Sequence, residues 1–413
     1  MSFFYSVILF LFEKLIFLLK PFNKRIENFI DERKNTFQYL NSNINSDQNN
    51  IWIHVASLGE YEQGLPIFLK LKELYKDHKI ILSFFSSSGY ELRKNNPISD
   101  FTVYLPLDTK KNAKNFIKII NPKLVFFVKY EFWPNYLNCL KVNKIPTFLL
   151  VGVFRKNQWF FKYYGIWMKK NLLVFNHFFV QDEISKNILN INGFSNTTIM
   201  GDSRYERVID LPSQNNKIKK IENFINSRIC IVGGSTWKTD EDLFINFINK
   251  NQSKEICYII VPHKINYPLI NKNRNLIQEK TVLMSDLNYE MDKNIRILYV
   301  DSVGILTKIY SYADVAYVGG GMGKTGLHNT LEPAAFSLPI IIGKKFEKFR
   351  EVKQLVKLGG VISINDQKTF NVKLSELIIK DEKRKHFGEI NYNFIKNNVG
   401  ASSKVINHLK KIK

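Results

Sequence analysis

Glu60 is the first residue in the chain whose setting suits acid–base chemistry. IWIHVASLGEYEQGLP, residues 51–66, reads as an apolar strand that breaks at Ser57-Leu58-Gly59 and resumes as a helix, with Glu60 in the break. The carboxyl end of a core strand is where open α/β sheets bind ligands, and a carboxylate there can take a proton. The alternative is that Glu60 and Glu62 only favour the first helical turn through its dipole. Further polar or glycine-rich groups follow other predicted strands. They are Ser86-Ser87-Ser88-Gly89, Lys129-Tyr130-Glu131-Phe132-Trp133-Pro134, Gly233-Gly234-Ser235-Thr236, Pro262-His263, Asp301-Ser302 and Gly319-Gly320-Gly321. Any one of them is compatible with ordinary turn chemistry. Together they crowd one edge of each sheet, which points to ligand binding.

VGGGMGKTGLHNTLEPAAFSLPIIIG, residues 318–343, is the richest stretch. It has neither a G-x-G-x-x-G opening a helix nor the Walker spacing, which argues against a P-loop ATPase. Its glycines allow backbone to approach a phosphate closely. Asn329 and Glu332 have capping-box spacing. The competing reading puts Glu332 against ribose hydroxyls, with the helix start facing phosphate. Three cysteines without C-x-x-C spacing and seven scattered histidines argue against a zinc site or a disulfide framework. Neither metal nor cofactor is expected.

The elements that must hold these groups are legible from hydrophobic runs. IWIHVA, KIILSFF, FTVYLPL, KLVFFV, PTFLLVG and HFFVQD read as fully buried parallel strands separated by helices such as 64–75 and 110–120. The polar stretch LPSQNNKIKK, residues 211–220, reads as a linker. A second series follows: ICIVGG, ICYIIVPH, IRILYV, VAYVGGG, PIIIG and GGVISI. The expectation is α/β, with two Rossmann-like domains (36–210 and 221–413) facing a cleft.

Residues 3–19, FFYSVILFLFEKLIFLL, form the most apolar stretch. As a helix they would reach about 25 Å at ~1.5 Å per residue, short of a ~30 Å hydrocarbon core. Ser6, Glu13 and Lys20 recur every seven residues as one polar stripe, which suits a segment lying in a membrane interface. Lys20, Lys24, Arg25, Arg33 and Lys34 follow, as a basic cluster for anionic headgroups would. Residues 1–35 are therefore expected to be a membrane-anchoring helix and basic segment. The whole chain carries 60 basic against 37 acidic residues, net +23, a balance that attracts anions. No RRM or KH signature supports nucleic acid as the partner, and no protein partner is inferable.

VASLGEYEQGLP, FFSSSGYE, YLPLD, KYEFWPN, GDSRYERV, GGSTW, PHKI, DSVGIL, YADVAYVGGG, GLHNTLEPAAFSLPIIIG and FEKFREV occur in that order over nearly the whole chain. As a colinear set they resemble the 3-deoxy-D-manno-octulosonic acid (Kdo) transferases of lipopolysaccharide biosynthesis. The resemblance implies a GT-B glycosyltransferase at the cytoplasmic face of the bacterial inner membrane. It would move Kdo from CMP-Kdo to a tetraacyl, bis-phosphorylated lipid A precursor by an inverting mechanism.

The family's catalytic glutamate, in its S-x-G-E motif, falls on Glu60. Its donor site falls on Gly320, Gly321, Asn329 and Glu332, with Ser235, Pro262 and His263 on neighbouring strand ends. Ser57, Gly59, Ser88, Gly89, Glu131 and Arg155 are the candidates for the acceptor side. The family's E-x-W-P-N stretch continues through Trp133, Pro134 and Asn135. Two positions depart from it. Trp237 stands where many members carry His, and Ile305 where many carry Glu. Arg204 and Arg207 are anion contacts or surface ion-pair residues. The competing functions are a GT-B transferase using a UDP-sugar and a basic, membrane-tethered nucleic-acid-binding protein.

Overall fold

The computed structural model describes residues 2–45, 47–287, 292 and 294–412. Two compact units divide the chain: residues 1–207 with 399–413, and residues 208–398.

The first unit is built on seven parallel strands: β1 (Asn50–Val55), β2 (Lys79–Phe84), β3 (Phe101–Tyr104), β4 (Pro122–Val128), β5 (Thr147–Gly152), β6 (Phe175–Val180) and β7 (Thr197–Ile199). Their order is β3-β2-β1-β4-β5-β6-β7. The strand order therefore reverses between β1 and β4, which marks the ligand-binding edge of a doubly wound sheet. Helices cover both faces, so the strands are apolar on both sides. Trp52 packs into one core layer with Phe116, Phe127 and Tyr136. Its neighbours Ile51, Ile53 and Val55 face the other layer, with Phe68 and Leu71.

The second unit repeats the plan with β8 (Ile229–Thr236), β9 (Ile256–Pro262), β10 (Thr281–Leu283), β11 (Ile297–Tyr299), β12 (Val315–Val318), β13 (Ile340–Gly343) and β14 (Val361–Ile364). The order is β10-β11-β9-β8-β12-β13-β14, reversing between β8 and β12. Every strand expected from the sequence is present. The two that were not expected, β7 and β10, are three residues each, too short to give a hydrophobic run.

Three expectations change. Residues 399–413 belong to the first unit rather than to the second domain. Their helix, Ala401–Ile412, buries Ala401, Val405 and Leu409 in the layer formed by Phe68 and Leu71. Glu206 caps its start by accepting from the Gly400 and Ser402 N–H groups. The polar stripe of the first helix, Ser2–Leu19, does not face outward. Ser6 reaches Asn135, and Tyr5 beside it donates to the buried Asp108 at 3.0 Å, while Phe4, Ile8 and Leu18 are 67%, 63% and 71% exposed. The outward face is apolar. No helix of the described residues is long and apolar enough to cross a membrane.

Arg33 is the third change, because it is not available to headgroups. Its guanidinium lies 3.6 Å from the Phe29 ring centroid and donates to the Leu105, Phe29 and Phe85 carbonyls. Burial lowers its pKa to about 10. Arg33→Ala would leave those carbonyls short of donors and cost roughly 2–4 kcal/mol, read as a lower Tm for the first unit.

Candidate active site

The first unit's chemistry gathers where β1 and β4 end. Glu60 is the third residue of helix Leu58–Leu74, whose N-cap is Ser57. Its Oε2 accepts the Ala56 N–H at 2.6 Å. It thus does serve the helix start, as the dipole alternative held. Burial first, and the charge of Glu131 second, nevertheless raise its carboxyl to about 7, against the Ala56 N–H, Lys129 and the Ser57 N–H. A carboxyl poised there exchanges protons at cellular pH. Burial lowers the Lys129 ammonium, and Glu60 pulls it back up.

Glu131 sits in a hydrogen-bonded chain that fixes its side chain. The Trp133 indole N–H lies 3.0 Å from Glu131 Oε2 and 3.1 Å from His54 Nε2. His54 Nδ1 meets the Ser83 hydroxyl at 2.8 Å, and Trp52 donates to that same hydroxyl at 2.7 Å. His54 is fully buried on β1. Three strand ends carry left-handed backbone. Lys129, Val151 and Ser235, closing β4, β5 and β8, have φ of 61°, 57° and 53°. Left-handed backbone is uncommon outside glycine, and an outlier for β-branched Val151.

The other acceptor-side candidates separate. Gly59 is exposed, and a Cβ there would meet only the Ser57 hydroxyl, 4.0 Å away. Gly89 is buried, and its Cβ would lie 2.8 Å from the Leu58 nitrogen, so it seats one helix against the start of the Glu60 helix. Ser88 is exposed beside Ser86 at 3.2 Å. Arg155 is exposed, and its backbone N–H bonds the Gln158 side chain. Asn135 donates to the Asp108 carbonyl. Asp108, in turn, accepts from the Asn135 and Tyr136 N–H groups. Burial raises the Asp108 carboxyl to about 7. Arg204 pairs with Asp202 at 2.6 Å and Arg207 with Glu62 at 2.9 Å, the ion-pair alternative for both.

In the second unit the polar groups gather where β8, β9 and β12 end. Trp237 stacks on His263 with centroids 4.8 Å apart, and His263 stacks on His328 at 4.2 Å. The Trp237 indole N–H donates to His328 Nε2 at 2.9 Å, which requires that nitrogen to be unprotonated. Burial, then the neighbouring His263, lowers His328 to about 4. Trp237 is therefore integrated into the cluster.

The glycine loop is packed more tightly than its sequence suggests. A Cβ on Gly320 would lie 2.0 Å from the Gly326 oxygen, and one on Gly321 2.9 Å from the Gly343 nitrogen. These glycines admit protein backbone, and the Gly320 N–H is taken by Asp240 at 2.9 Å. Helix Leu331–Ala335 has five residues with Thr330 as N-cap, so it lacks both the expected capping box and a long dipole. Asn329 instead bonds the Leu331 N–H and donates to Glu332 at 2.9 Å. The Thr307 hydroxyl gives Glu332 a second donor at 2.7 Å.

Sequence reasoning assigned no role to His54, Asp240 or His328, and named Lys129 only within its strand-end group. Among the described residues, no three His, Cys, Asp or Glu side chains come together as a metal site.

The family model for 3-deoxy-D-manno-octulosonic-acid transferase (kdotransferase) matches residues 30–207. A 3-deoxy-D-manno-octulosonic acid transferase of Haemophilus influenzae is 28% identical over 392 residues, 87% of this chain and 86% of that one. One from Aquifex aeolicus is 28% identical over 333 residues, 79% and 86%. Among solved structures, a glycosyltransferase from Rickettsia africae superposes with a TM-score of 0.58 at 15% identity, covering 89% of this chain and 99% of that one. A UDP-GlcNAc 2-epimerase from Neisseria meningitidis gives 0.60 at 12%, covering 88% and 100%. These two likenesses speak to the fold, two parallel α/β units of GT-B type. The sequence relatives go further: the chain is a glycosyltransferase, similar over most of its length to 3-deoxy-D-manno-octulosonic acid transferases.

Proposed function

We propose that this glycosyltransferase moves Kdo from CMP-Kdo to a tetraacyl, bis-phosphorylated lipid A precursor, with Glu60 as general base. The observation that carries the reading is the Glu60 carboxyl, raised to about 7 at the end of β1, in a chain whose relatives bear the Kdo transferase name. Glu60 takes the proton from an acceptor hydroxyl. The oxygen bonds to the anomeric carbon of Kdo as the bond to the CMP phosphate breaks, and CMP leaves with the electron pair. Attack opposite the leaving group inverts the centre without a covalent enzyme intermediate. Backbone N–H groups and Lys or Arg side chains of the second unit stabilise the phosphate. The Gly320 N–H is not among them, since Asp240 holds it. Glu332 accepts from ribose hydroxyls with the lone pairs that Thr307 and Asn329 leave open.

The test is mass spectrometry of purified protein with CMP-Kdo and the acceptor, beside a panel of UDP-sugars. Product heavier by whole Kdo units, formed from CMP-Kdo alone, is expected; turnover with only a UDP-sugar would overturn the donor.

The reading places the protein on the cytoplasmic face of the inner membrane, held by the apolar outward face of Ser2–Leu19. Deleting residues 2–19 should move the protein from the membrane pellet to the supernatant. Activity on a detergent-dispersed acceptor should persist. Continued tight pelleting would count against the anchor.

A further inference from the structure

Helix Lys238–Lys250 opens with two consecutive carboxylates, Asp240 and Glu241, both almost fully buried. An acidic residue in a first turn usually satisfies one N–H at the helix start. Asp240 does that, accepting the Trp237 N–H on Oδ2 at 2.9 Å. Its other bonds reach a different strand. Oδ2 also accepts the Gly320 N–H at 2.9 Å, and Oδ1 accepts the Tyr317 hydroxyl at 2.7 Å from β12. One carboxylate thus ties the end of β8 to the glycine loop after β12, across the point where the strand order reverses. Glu241 turns the other way, accepting from Thr236 at 3.0 Å and Asn273 at 2.6 Å.

From this arrangement we infer that Asp240 is a positioning residue for the nucleotide-sugar donor: it holds the glycine loop and the Trp237–His263–His328 stack in one geometry. The inference rests on the reading that the second unit binds the donor. Asp240 has no access to a ligand itself. It acts through the backbone N–H of Gly320 and through the N–H that fixes Trp237. A neutral amide of the same size is a poorer replacement: with its oxygen on the Trp237 and Gly320 N–H groups, its NH₂ meets Tyr317, whose hydroxyl must turn its hydrogen away to accept, and the charge is lost.

The test uses full-length protein in detergent, titrated calorimetrically with CMP and assayed for KM of donor and acceptor. Asp240→Asn should weaken CMP binding and raise the donor KM by about tenfold, leaving the acceptor KM within about twofold. A merely structural role would lower the active fraction, and with it kcat, while both KM values stayed put. Tyr317→Phe removes one donor to the same carboxylate and keeps the ring packing. It should weaken CMP binding about threefold, and it carries the test if Asp240→Asn does not fold. CMP affinity unchanged in the folded variants would overturn the assignment alone. Wild-type protein that binds no CMP would overturn the donor reading and this assignment with it.

Discussion

Replacing Glu60 by Gln is expected to lower kcat by about 10²–10⁴-fold, the range for loss of a positioned general base, while the fold is kept. Gln retains an oxygen for the Ala56 N–H, so the helix start stays satisfied. The wild-type acidic limb supplies a second readout. A base must be deprotonated to act, so kcat should rise with pH through about 7 and level off above it if Glu60 is that base. Neighbouring charges move that limb in opposite directions. Glu131→Gln removes a charge that raises the Glu60 carboxyl, shifting the limb to lower pH. Lys129→Met removes one that lowers it, shifting the limb to higher pH. The same shift sets how stability varies with pH. Because the folded-state value lies above the ordinary 4.5, the native state binds more protons than the unfolded one between 4.5 and about 7. Stability from this group is therefore complete below 4.5 and lost as pH rises through about 7. At pH 8, Glu60→Gln should melt no lower than wild type. A nearly active Glu60→Gln, or a limb that ignores both neighbours, would return Glu60 to the role of a helix-start residue.

Gly343→Ala is expected to disable the second unit's loop from a residue that was assigned no chemistry. A Cβ there would lie 2.3 Å from both the Gly321 carbonyl carbon and the Met322 nitrogen. Backbone on both sides cannot yield as a flexible side chain would, so the loop after β12 must move away from β13. The Lys345 N–H to Gly321 oxygen bond at 2.9 Å lies in its path. Overpacking of this kind costs about 1–3 kcal/mol. The donor KM should rise on the order of tenfold, equivalent to about 1.4 kcal/mol, with the acceptor KM little changed. Gly359→Ala is the matched control. Its φ is 91°, but a Cβ there meets nothing within 4 Å. It pays only the left-handed backbone penalty of roughly 1–2 kcal/mol and should leave the donor KM alone. Equal donor KM values in the two variants would mean that the close packing at Gly321 has no bearing on donor binding.

The sheets were legible because parallel strands buried on both faces are written as unbroken apolar runs. ICYIIVPH announces β9 as plainly as IWIHVA announces β1. The strand-end groups were legible for the same reason, since each interrupts such a run. What the local pattern conceals is the partner of each polar group. Gly320 reads as an open phosphate cradle until Asp240, eighty residues earlier, is seen on its N–H. Arg33 reads as one more charge in a basic cluster until Phe29, Phe85 and Leu105 enclose it. Ser6 belongs to a polar stripe whose direction only a contact with Asn135 reveals. Helix Ala401–Ile412 has an ordinary amphipathic pattern that does not say which sheet it covers. Each of these turns on a long-range contact, which a periodicity does not encode.

That last helix bears on how the chain comes into being. Residues 399–413 leave the ribosome only after the whole of residues 208–398, yet they complete the layer behind Phe68 and Leu71 on the Glu60 helix. Domains ordinarily mature in the order of their synthesis. Here the later unit has all its residues first, and the earlier one waits with an uncovered apolar strip. During that interval the uncovered strip leaves the nascent protein prone to aggregate. A stalled or shortened translation product with an intact Glu60 motif would still lack the surface that closes the core behind it.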